Sequence, residues 1–177
     1  MGMNPVLEQA TAADLDEVAL LYDSINRYLA DHTNYPGWKK DVYPAREDAE
    51  NGVSRGTLYV LRRDGRIAGT VILERKAEPA YGTVDWGVDL TAEEVMVVYT
   101  LAVHPDFLGA GIGKALMEAI LGFCREKQVK AIRLDVYEKN SPAIGLYKKY
   151  GFSYIGLVDL GYSHFGLDQF ELYQKIL

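Results

Sequence analysis

Val95-Met96-Val97-Val98-Tyr99-Thr100-Leu101-Ala102-Val103, then His104-Pro105-Asp106-Phe107-Leu108, then Gly109-Ala110-Gly111-Ile112-Gly113-Lys114: the architecture of the chain is anchored in this stretch. Its first part is an almost unbroken apolar run, the pattern of a strand buried on both faces. Its last part alternates three glycines ahead of Ile112, Leu116, Ala119, Ile120 and Phe123, an apolar stripe at helical spacing. A strand, a glycine turn and a helix start therefore follow one another directly. The first amides of a helix lack intrahelical acceptors and carry partial positive charge, which suits an anion. Glycine lets that backbone approach the anion with no β-carbon in the way.

Downstream of this stretch, the helix is predicted over 111–127, followed by a strand over 131–136. Ser141-Pro142 opens a further helix, because proline suits the first helical position, and Gly151 ends it. Residues 152–160 and 169–174 read as a closing antiparallel pair.

Upstream, Val6-Leu7-Glu8-Gln9-Ala10 reads as a short strand, and Thr11 or Asp14 caps a helix carrying Leu15, Val18, Leu21, Tyr22, Ile25 and Leu29. Tyr35-Pro36-Gly37-Trp38 breaks it into an aromatic loop, and a short helix near 46–53 stops before Gly56. Residues 57–61 and 67–73 flank Asp64-Gly65, a hairpin signal. The stretch 76–94 is long and irregular, as functional loops are. The order, with one clear βαβ crossover, predicts one α/β (α+β) domain over 1–177 built on a single twisted, mixed sheet.

Composition limits what such a domain does. The chain has 177 residues, 49% hydrophobic and 25% charged, enough for one proper core. A net charge of −6 argues against nucleic-acid binding. The single cysteine, Cys124, excludes a disulfide framework, and His32, His104 and His164 have no metal-binding spacing, so no metal is expected. Met1-Gly2-Met3-Asn4-Pro5 lacks the features of a leader, and no apolar run approaches the roughly 18 residues of a membrane span. The expectation is a cytoplasmic protein without a membrane partner. Acidic residues dominate 77–113 and basic ones 114–150, as two solvated faces or as flanks for a cationic acceptor and a phosphate-bearing cofactor.

Spacing discriminates between glycine loops. A Walker A loop needs glycine where Leu108 stands and serine or threonine where Ala115 stands. A dinucleotide fingerprint begun at Gly109 needs glycine or alanine in place of Lys114. Leu101-Ala102-Val103-His104-Pro105-Asp106 with Gly109-Ala110-Gly111-Ile112-Gly113-Lys114-Ala115-Leu116 resembles the acetyl-CoA-binding motif of the GNAT N-acetyltransferases. Asn140-Ser141-Pro142-Ala143, Leu146-Tyr147 and Gly151-Phe152 resemble that family's second signature, and the element order matches from Val6 to Leu177. One departure is Leu108, where the family usually has glutamine or arginine.

The resemblance implies a mostly antiparallel sheet of about six to seven strands with about four helices. It implies acetyl-CoA as co-substrate and transfer of its acetyl group to a primary amine of a small molecule or peptide, with a homodimer possible. By resemblance, Leu101, Ala102 and Val103 offer main-chain groups to the pantetheine arm. Gly109, Ala110, Gly111, Ile112, Gly113 and Lys114 hold the pyrophosphate, and Asn140 bonds the arm or a water. Tyr147 protonates or hydrogen-bonds the departing thiolate, a phenol being well matched to a thiol. As plain structure, Leu101, Val103 and Tyr147 read as core and Asn140 as a turn residue.

The general base stays open. Relatives place it on the strand at the positions of Tyr99 or Val97, neither of which suits. A water chain, Glu94, Asp85, another loop acid or no dedicated base remain. Tyr28, Tyr35, Trp38, Tyr43 and Trp86 read either as an acceptor enclosure, with cation–π contact, or as packing under loops. A non-catalytic acyl-CoA sensor of the same fold is the alternative function.

Overall fold

In a computed structural model the chain is described from Asn4 to Leu177. Met1, Gly2 and Met3, at the start read above for a leader, lie outside the described residues. The apolar periodicities become β1 (Glu8–Gln9), α1 (Leu15–Asp31), α2 (Arg46–Arg55), β2 (Leu58–Arg63), β3 (Arg66–Glu74) and β4 (Val95–Val103). They continue as α3 (Ile112–Glu126), β5 (Ala131–Tyr137), α4 (Ser141–Lys149), β6 (Ser153–Val158) and β7 (Phe170–Ile176). The strands form one sheet in the order β1-β2-β3-β4-β5-β7-β6, a mixed seven-stranded sheet with four α-helices among the described residues.

Local chemistry explains the boundaries. Asp64 and Gly65 both have positive φ, 53° and 76°, as a tight hairpin requires, and Arg63 pairs with Arg66 across it. Gly56 closes α2 in the left-handed conformation at φ 69°. Asn140 caps α4, its side chain accepting the Ala143 N–H at 3.4 Å, with Pro142 in the first turn. The first strand is shorter than the five residues read from the sequence, since only Glu8 and Gln9 pair with β2.

Contacts group the chain into two compact units. One contains the chain up to Asn34 with Trp38–Leu73 and Thr100–Phe123. Its core includes Leu61, Ala68, Ile112, Leu116 and Ala119, so the α3 stripe is buried from Ile112 to Ile120 as its spacing predicts, with Phe123 half-buried. Gly69 has no room for a side chain: a β-carbon there would stand 2.7 Å from Leu116 Cδ1 and 3.1 Å from the Ala102 carbonyl. The other unit contains Tyr35–Gly37, Glu74–Tyr99 and Cys124–Leu177. Its core includes Tyr81, Val95, Val97, Ala131, Val158, Phe170 and Leu172.

The β4–β5 pairing is parallel and short. Its register runs from Val95↔Ala131 to Val98↔Leu134, whereas β5 keeps its antiparallel partner β7 through Tyr137↔Phe170. Among the described residues, no helix is long and apolar enough to cross a membrane.

Candidate active site

The turn after β4 is built from its own side chains. His104 Nδ1 accepts the Asp106 N–H at 3.0 Å, and Asp106 pairs with Arg66 at 2.8 Å. The Arg66 guanidinium lies 5.0 Å from the Phe107 ring centre. His104 is thus a turn residue, as its neighbour Pro105 suggests. Gly109 and Gly111 then take φ 79° and 78°, a conformation that costs other residues about 1–2 kcal/mol. Nothing lies within 4 Å of a β-carbon built on either, so the backbone there faces open space. Arg63 Nη1 donates to the Ala110 carbonyl at 2.8 Å, turning that oxygen to the protein. At the start of α3 the Ala115 N–H donates to the Gly111 carbonyl at 3.0 Å, and the amides of Gly111, Ile112 and Gly113 lie before it. A glycine turn that opens into a helix start in this way can accept an anion. Leu108 is 53% exposed and offers it nothing polar.

In the same unit β4 carries an irregularity at its centre. Thr100 has φ 48°, unusual for a β-branched residue, and its Oγ1 is hydrogen-bonded to the Tyr43 hydroxyl. Asn26, buried on α1, donates to the carbonyl of Pro44 at 3.2 Å and fixes the segment carrying Tyr43. Leu101 and Val103 follow Thr100 and pack their side chains against the α3 core, while Ala102 is buried.

The other unit holds Asn140 and Tyr147. Tyr147 is 7% exposed on α4, and burial, reinforced by the negative charge of Asp135, pushes its phenol above the ordinary tyrosine value. It therefore stays protonated at neutral pH and is available as a donor. Asn140 is spent at least in part on capping α4.

Asp135 is the residue that sequence reading passed over. It lies on β5 just past Leu134, where the β4 register ends, and accepts the Tyr81 hydroxyl at 2.6 Å. Desolvation lifts its pKa from 3.8 to about 6, with the Tyr81 hydrogen bond pulling down and Glu78 pushing up. The signal was an acid placed by strand alternation on the same face as buried Ala131.

The acids named from the sequence are engaged elsewhere. Glu94 pairs with Lys130 at 2.7 Å, which holds its carboxyl below the usual range. Asp85 accepts the Gly87 N–H at 2.8 Å. Tyr99 donates its hydroxyl to the Lys76 carbonyl at 2.8 Å and is pushed up by burial, so it makes no base. Cys124 is fully buried, and burial pushes its thiol up to about 12, far from a nucleophile.

The aromatic residues named from the sequence are distributed over both units. Tyr28 stacks on His32 at 3.9 Å, and Trp38 meets Tyr43 edge-on at 6.0 Å, in the first unit. Tyr35 and Trp86 belong to the second, where the Arg133 guanidinium stands 4.3 Å from the Trp86 ring centre. An internal cation already uses that ring.

The Acetyltransferase (GNAT) family matches residues 21–152. A mycothiol acetyltransferase of Salinispora arenicola is 30% identical over 131 residues, 72% of this chain and 38% of that protein. The chain thus spans about two fifths of the length of that relative. A GNAT-family acetyltransferase structure from Streptococcus agalactiae superposes with a TM-score of 0.80 at 24% identity, covering 98% of this chain and 95% of that one. A ribosomal-protein-alanine N-acetyltransferase structure from Brucella melitensis gives a TM-score of 0.72 at 19% identity, covering 97% and 99%. These likenesses show a shared fold.

Proposed function

The chain belongs to the GNAT acetyltransferase family, and on that premise we propose that it moves the acetyl group of acetyl-CoA directly to a primary amine. The observation that carries this reading is the pair of left-handed glycines, Gly109 and Gly111, opening into unfilled space ahead of α3. Acetyl-CoA supplies the acyl group as a thioester. Backbone amides at residues 109–114 grip its pyrophosphate, and without a polar side chain at Leu108 they carry that grip. Main-chain groups of Leu101, Ala102 and Val103 bind the pantetheine arm, and a backbone N–H near Leu101 polarises the thioester carbonyl. The early end of the β4–β5 register supports this use of the strand. We read residues 1–177 as one catalytic domain, because the family match runs through both units.

Asp135 serves as general base, taking the proton that the amine must lose to attack. A carboxylate lifted to about 6 holds a proton far better than one at 3.8, yet remains ionised at neutral pH. Tyr147 donates its hydroxyl proton, or a hydrogen bond, to the departing sulfur. Cys124 takes no covalent part. The acceptor is a primary amine of a small molecule or peptide, cationic in its resting form, which agrees with the acidic run between Glu78 and Glu94.

The test is release of free thiol from acetyl-CoA by the pure chain against a panel of polyamines, amino sugars and short peptides. Turnover with at least one amine is expected. No thiol release with any amine, together with no CoA binding by calorimetry, overturns the reading. In Tyr147→Phe, turnover should fall at least about tenfold with CoA affinity kept. CoA binding without turnover in the parent chain would instead indicate a sensor.

A further inference from the structure

We propose that Tyr81, carried on the insertion between β3 and β4, is a positioning residue that sets the proton affinity of Asp135 and with it the pH range of acetyl transfer. The proposal rests on the reading of Asp135 as the base. Its geometric ground is a short, direct hydrogen bond, Tyr81 hydroxyl to Asp135 Oδ2 at 2.6 Å, from a side chain that is 3% exposed.

The insertion that carries Tyr81 is tied down at several points. The Tyr81 carbonyl accepts the Trp86 Nε1–H at 2.8 Å, and the two rings lie 5.4 Å apart. The Trp86 carbonyl accepts from Gln174 Nε2 at 2.9 Å, and Arg133 both covers the Trp86 ring and donates to Gln174 at 2.8 Å. At its start, the Lys76 carbonyl takes the Tyr99 hydroxyl. A long loop is thereby held so that one phenol meets one carboxylate, which is a reason for its length.

The groups facing Asp135 make that phenol decisive. They are Glu78 and Tyr81 from the insertion, Tyr99 from β4, Tyr147 from α4 and Tyr162 from the β6–β7 connection. Across the sheet, β7 presents Leu172 in register. None of these is a cation. Glu78 and desolvation both favour the protonated acid, and the Tyr81 hydroxyl is the contact that favours the carboxylate. Removing it raises the proton affinity of Asp135. A base must be ionised, so activity present at high pH is lost as pH falls through that value, and the loss would begin at higher pH.

Tyr81→Phe keeps the ring and removes the hydroxyl. Its pH–kcat profile, taken with the same amine as the parent, should have an acid limb displaced upward by about one pH unit or more, converging on the parent rate at high pH. Glu78→Gln should displace the limb downward, which keeps the proposal testable if Tyr81→Phe folds poorly. Carboxyl-labelled aspartate NMR should show Asp135 titrating higher in Tyr81→Phe. A uniform loss of rate at every pH, or an Asp135 titration unmoved by Tyr81→Phe, overturns the proposal. An NMR titration that moves while the rate limb does not overturns the base reading instead.

Discussion

Asp135 has a proton affinity that differs between the folded and unfolded chain, and the sign of its effect on stability follows. Unfolded, it ionises near 3.8; folded, near 6. Between those values the folded state keeps a proton that the unfolded state has released, so folding is favoured as pH falls. Above 6 the folded chain carries a charge that its surroundings disfavour, by at most about 3 kcal/mol. Asp135→Asn removes that charge. It should raise the stability measured by urea unfolding at pH 8 by up to about 3 kcal/mol, leave it nearly unchanged at pH 3.5, and lower kcat at least about 100-fold. For the proposed base, weakening the fold it sits in is the pattern expected where function competes with stability. Tyr147 is the complement: the same burial that raises an acid's pKa keeps a phenol protonated.

Two elements carry conformations that only a few residues tolerate. In the loop before α3, Gly111→Ala places a β-carbon on a left-handed residue without any clash, so the cost is conformational, about 1–2 kcal/mol. It should weaken CoA binding, read as a higher KM for acetyl-CoA with kcat changed less. In β4, Thr100 holds its left-handed backbone beside a hydrogen bond to Tyr43. Thr100→Val and Tyr43→Phe should each cost about 1 kcal/mol, with the double variant little worse than either, as expected for two ends of one bond. Additive losses in urea unfolding would show that the pair does not act together.

For the molecule as a whole, Cys124 offers a reporter. It has no exposed surface and a thiol pushed up to about 12, so thiol reagents should leave the native chain untouched. Labelling across a urea series should rise with the loss of far-ultraviolet circular dichroism. Labelling well before that transition would show local opening around the end of α3. The same inertness keeps the thiol-release assay free of background from the chain itself.

Much of the architecture is legible along the chain because it is local. The period of apolar residues marks α1, α3 and β4, and Asp64-Gly65 and Gly56 mark turns by the φ they permit. Alternating glycines before an apolar helix point to an anion cradle, and the spacing of Leu108, Lys114 and Ala115 sets aside other nucleotide loops. What the tertiary structure alone decided is pairing at a distance. Tyr81 and Asp135 are 54 residues apart, and Tyr43 and Thr100 are 57 apart, so no periodicity links them. A carboxylate in sequence is only a carboxylate; its proton affinity belongs to the water excluded and the hydroxyl supplied by residues folded against it. Local pattern therefore determined the elements and the glycine loop, while three-dimensional packing decided which acid carries the raised proton affinity.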